Sequence, residues 1–80
     1  MIARVFVTLK PGVLDPQGAA IRRSLGQLGF DGVNSVRQGK VIELDLAETD
    51  PKAAKKRVTE MCEKLLANMV IENFEVELEP

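Results

Sequence analysis

The dipeptide Asp-Pro occurs twice, as Asp15-Pro16 and Asp50-Pro51, each time between a strand-like run and a helix-like one. Asp accepts from the free N–H groups that open a helix, and Pro is preset for the first helical position, so each pair predicts a helix start. Before the first pair, Met1–Leu9 puts Ala3, Val5, Val7 and Leu9 on one face and Ile2, Arg4, Phe6 and Thr8 on the other. Apolar residues on both faces predict a central strand. After it, Ile21, Leu25 and Leu28 recur at i, i+4, i+7, with Gly29 at the left-handed stop and Phe30 packing back beneath. After the second pair, Ala54, Val58, Met61, Cys62 and Leu65 form a longer stripe that ends near Asn68.

The remaining segments complete the pattern. Val33–Arg37 reads as a short strand, Gln38-Gly39 as a two-residue hairpin turn, and Lys40–Ala47 as an alternating strand. Ile71–Glu79 alternates again, Phe74, Val76 and Leu78 against Glu75, Glu77 and Glu79. The order β-α-β-β-α-β, with the same layout in each half, predicts one α+β domain over residues 1–80. It would be a ferredoxin-like four-stranded antiparallel sheet with two helices on one face. The sheet's other face would show Ile2, Arg4, Phe6, Glu43, Glu75 and Glu77. Its apolar centre, ringed by charge, makes Ile2, Arg4, Phe6 and Glu43 the expected dimer interface.

An oligomer is expected on size alone. A chain of 80 residues buries only about 60% of its unfolded surface, and such domains usually add a disulfide, a metal or a partner. Cys62 is the single cysteine and there is no histidine, so neither an internal disulfide nor a zinc site can form, and a partner chain remains. No apolar run approaches the roughly 18 residues of a membrane span. The N-terminus runs straight into a strand pattern, and the lone thiol suits a reducing compartment, so the expected location is the cytoplasm. A formal net charge of −1 argues against general nucleic-acid binding. The signs are uneven: residues 1–40 hold six Lys/Arg and two Asp/Glu, residues 41–80 five and ten.

The search for chemistry returns little. Without histidine no serine triad can form around Ser24 or Ser35. Cys62 lies on an apolar stripe with nothing beside it to lower its pKa, so it reads as a core thiol. The strand carboxylates read as a solvated or salt-bridged face. LKPGVLDPQG has Gly12 after Lys10-Pro11 and Gly18 inside the helix, which is not the glycine spacing of a phosphate loop. It reads as a connector whose Val13 and Leu14 pack inward or onto a neighbour. Lys52, Lys55, Lys56 and Arg57 open the second helix against its dipole, as a solvated face or a site for an acidic partner. No catalytic, cofactor-binding or metal-ligating residue is expected.

VTLKPGVLDPQGAAI, LGF, VRQGKVIELDL and MCEKLLANMVIENFEVE, in that order from about residue 5 to residue 77, closely resemble the PurS family. PurS is the small subunit of phosphoribosylformylglycinamidine (FGAM) synthase, or FGAR amidotransferase. The resemblance implies a non-catalytic subunit that bridges an ATP-dependent synthetase subunit, PurL, and a glutaminase subunit, PurQ, in de novo purine biosynthesis. It implies self-association as a dimer, with a tetramer left open, and ATP and Mg²⁺ held by the synthetase partner. Lys10, Pro11, Gly12, Val13 and Leu14 in the connector, with Arg37 and Lys40 at the expected hairpin, are the candidate partner contacts. The alternative is a regulatory module of the ACT kind, which binds a small molecule between paired domains.

Overall fold

The computed structural model describes residues 1–80 in the order β1 (Ile2–Leu9), α1 (Pro16–Gln27), β2 (Gly39–Asp45), α2 (Pro51–Met61), a π-helical stretch (Cys62–Leu66) and β3 (Glu72–Glu79). The sheet has three antiparallel strands in the order β2-β1-β3. β1 is central, as its two apolar faces required. Its residues Ala3, Val5 and Val7 are buried in one cluster with Val58 of α2, Cys62 of the π-helical stretch and Ala67 just beyond it. Ile42 and Leu44 of β2, Leu46 beyond it, and Phe74, Val76 and Leu78 of β3 pack around that core, each half-buried.

Three expectations fail, two of them in the layer of sheet and helices. The fourth strand is absent: Val33–Arg37 joins no sheet, and Gln38-Gly39 makes no turn. The chain runs straight on into β2. Gly39 pairs with Thr8 and lacks positive φ; a Cβ there would lie 2.6 Å from the Val7 carbonyl oxygen. Its smallness serves close approach, not reversal of direction. The second failure concerns α1, which does not lie on the sheet beside α2. Only Gly18 of this helix is buried.

Residues 16–38 instead form an arm. Arg22 Nε donates to the Val33 carbonyl at 3.0 Å, and no Cβ at Gly18 would clear the Val36 carbonyl. The extended segment therefore runs back along α1. The tip is closed by Gly29 at φ +93°, with Gly29 N–H bonded to Gly26 and Phe30 N–H to Leu25. That is a Schellman stop, as the sequence indicated. The molecule measures 47 × 26 × 14 Å, with a radius of gyration of 15.9 Å. A compact domain of this length has about 12 Å.

Helix α2 follows the sequence until its last turn. Leu65 was expected on the buried stripe and is 82% exposed, while Leu66 turns inward. A π-helical turn holds more residues than an α-helical one, so the stripe advances by one position.

Candidate assembly interface

The base of the arm gathers the polar side chains that sequence reasoning had scattered. Asp15 caps α1 through Oδ1, which accepts from Gly18 N–H at 2.8 Å. Its Oδ2 accepts from Gln38 N–H, also at 2.8 Å. The carboxylate is buried and bridges the outgoing and returning chains. Those bonds, first from Gln38 and then from Gly18, hold its pKa below the ordinary carboxylate value. Arg37 lies beside it. Its guanidinium donates to the carbonyls of Leu9, Lys10 and Val13, each at 3.1 Å.

The two candidate contact segments are thus one unit, since Arg37 stitches itself to the connector. Its guanidinium serves internal carbonyls, while Lys40 stays exposed on β2. Within the connector, Pro11 and Gly12 are exposed, Gly12 with φ +86°, Val13 is half-buried and Leu14 is 80% exposed. Lys10 ties the connector to a segment that sequence reasoning missed. Its N–H bonds the Ile71 carbonyl at 2.8 Å and its Nζ the Met69 carbonyl at 2.9 Å. Met69 and Val70 are exposed there. No local signal could have paired residues so distant in sequence.

The remaining candidates sit on the outer sheet face. Ile2, Arg4 and Phe6 line β1; Val41, Glu43 and Asp45 flank them on β2, and Glu75, Glu77 and Glu79 on β3. Arg4 pairs with Glu79 and, at 3.1 Å, with Glu43, which keep its guanidinium charged. With five carboxylates against one guanidinium, the face is strongly acidic. Cys62 is wholly buried, and burial pushes its thiol pKa up, so it is a core residue. No three His, Cys, Asp or Glu side chains converge on a possible metal position. No helix is long and apolar enough to cross a membrane.

The molecule therefore offers exposed edges and an unpartnered arm. The PurS family profile, described as phosphoribosylformylglycinamidine (FGAM) synthase, matches residues 2–80. The chain belongs to the PurS family. A Synechocystis relative, described as phosphoribosylformylglycinamidine synthase subunit PurS, is 54% identical over 71 residues, 89% of this chain and 71% of that one. Among solved structures, Methanocaldococcus jannaschii PurS superposes with a TM-score of 0.89 at 44% identity, covering 98% of this chain and 94% of that one. At such coverage the likeness takes in the arm as well as the sheet. That protein is described as one of the subunits of formylglycinamide ribonucleotide amidotransferase in the purine biosynthetic pathway. A chain in the structure of PurLQS from Thermotoga maritima matches with a TM-score of 0.83 at 32% identity, over 96% of both chains. PurS membership makes this chain a subunit of FGAM synthase in purine biosynthesis, and favours the assembly reading over the ACT-like one.

Proposed function

We propose that this chain is a non-catalytic bridge, working as a homodimer in the cytoplasm between a PurL-type synthetase and a PurQ-type glutaminase. The complex would convert formylglycinamide ribonucleotide, ATP and glutamine to the amidine, ADP, phosphate and glutamate. Ammonia released by the glutaminase must reach the synthetase without escaping to water. A rigid bridge that keeps the two active sites in register supplies proximity and a closed passage. ATP, Mg²⁺ and the glutaminase nucleophile then belong to the partner subunits.

The observation that carries the reading is the unfinished arm. Leu28 is 73% exposed, Phe30 is 60% exposed, and Ile21 also faces solvent. Burying such a side chain is worth on the order of 1.5–3 kcal/mol. The same chain leaves its sheet short of one strand and one helix relative to the layer its sequence implies. Two copies exchanging arms about a two-fold axis satisfy both needs at once. The arm is also the better dimer contact on charge: the outer face with Ile2, Arg4, Phe6 and Glu43 is acidic and would repel its own copy. The exposed connector residues Pro11, Gly12 and Leu14, with Lys40, remain for the other subunits.

Reconstitution tests the proposal. The two large subunits are mixed with and without this chain, and glutamine-driven and ammonia-driven synthesis are assayed separately. Loss of the glutamine-driven rate alone in its absence is expected. Equal rates with and without the chain would refute bridging.

A further inference from the structure

The geometry points to Asp15 and Arg37 as positioning residues: together they lock the angle at which the arm leaves the sheet, and so the spacing at which the assembly holds its other subunits. This rests on the bridging reading. Within one chain α1 does not lie on the sheet, and residues 33–38 meet it at Leu9 through Arg37, so before a second copy docks the arm's direction is decided at its base. There the chain passes out through Lys10–Asp15 and back through Arg37–Gly39. The outgoing strand contains Gly12 in a left-handed conformation, at φ +86°.

Three features close that crossing. Asp15 holds Gly18 N–H with one oxygen and Gln38 N–H with the other, both at 2.8 Å. Arg37 spans the carbonyls of Leu9, Lys10 and Val13. Gly18 brings α1 so close to Val36 that no larger residue fits between. Asp50 is the internal control, because it opens α2 in the same Asp-Pro context. Its side chain accepts only from its own helix, at Lys52 N–H. Capping needs one carboxylate oxygen. The second oxygen of Asp15, and a guanidinium forked across three backbone acceptors, hold one chain crossing to the other. Arg suits this task because its fork is planar and fixed; a lysine ammonium is a point charge.

The test separates locking from capping. Asp15→Ser keeps a hydroxyl for Gly18 N–H but reaches Gln38 poorly, and Arg37→Lys keeps the charge but loses the fork. Spin labels at Ser24→Cys on the arm and Glu60→Cys on α2 report the arm-to-sheet distance. Cys62 stays in place because it is buried, and labelled chains are diluted into unlabelled ones. The wild type should give a narrow distance distribution, and both variants a broad one at unchanged helical content by circular dichroism. In the reconstituted complex, the glutamine-driven rate should fall about tenfold or more with the ammonia-driven rate intact, because ångström-scale misplacement of a bound group carries penalties of that order. Distributions as narrow as wild type would refute the lock whether or not the chain bridges. Broad distributions with full glutamine coupling would refute its positioning role.

Discussion

The two halves of the chain begin alike and end differently. Each has a strand, then Asp-Pro, then a helix with an apolar stripe; α2 lies on the sheet while α1 projects beyond it. Local signals are equal in the two halves, so they determine that helices form and not what they pack against. The stripe of α2 presents small and medium side chains; Ala54 is buried, and Val58 and, just beyond, Cys62 join Ala3, Val5 and Val7 in one core cluster. The stripe of α1 has no such cover, with Ile21 and Leu28 exposed, and the helix meets its own returning segment through Gly18 and Arg22. Its aspartate carries the second difference: Asp50 caps, whereas Asp15 caps and ties.

The comparison breaks hardest at Val58, which is wholly buried. Val58→Asp places an unpaired charge in the core and should lower stability by more than about 3 kcal/mol, enough to unfold a domain this small. Loss of the cooperative urea transition is the readout. At the matching place on the arm, Leu28→Asp should leave the far-ultraviolet spectrum nearly unchanged and convert a dimer to a monomer in sedimentation. A folded dimeric Leu28→Asp variant would mean that α1 is merely a solvated helix.

A finer contrast lies between the two caps. Asp50→Ala should lower stability by about 0.5–2 kcal/mol, as loss of a helix cap does. Asp15→Ala should lower the urea midpoint further, because a second backbone donor loses its partner. Asp15 also has a depressed folded pKa. Its contribution is therefore complete above the unfolded carboxylate value of about 3.9 and lost as pH falls through the lower folded value. Amide exchange at Gly18 and Gln38 should accelerate over that acid range, and Asp15→Asn should remove the acid step. The smallest effect is expected from Arg4→Ala on the exposed acidic face. Its midpoint shift should be smaller than that of Asp50→Ala, since exposed ion pairs contribute little.

These contrasts mark how far the sequence could be read. The central place of β1, both helix starts, the Gly29 stop and the alternation of β2 and β3 all follow from patterns within a few residues, and all appear in the structure. The buried thiol of Cys62 was legible too, from its place on a stripe. The fourth strand and the docking of α1 were not. An apolar stripe looks the same whether its own chain or a second copy covers it, and a Gly needed for close approach looks like a Gly needed for a turn. The displacement of Leu65 by Leu66 came from one extra residue in a π-helical turn. At the candidate site, the connector and Arg37 were singled out as separate loops. Their union, and the tie of Lys10 to Met69 and Ile71, depend on contacts across the fold that no short pattern encodes.

The central claim is that the arm finds its cover on another copy of the same chain. A mixed dimer of isotope-labelled and unlabelled chains, examined by isotope-filtered nuclear Overhauser spectroscopy, tests this directly. Cross-chain signals from the Leu25 and Leu28 methyl groups to protons of the other chain's sheet are the outcome required. No cross-chain signal from the arm, in a particle sedimenting at the 8.8 kDa of a single chain, would contradict it.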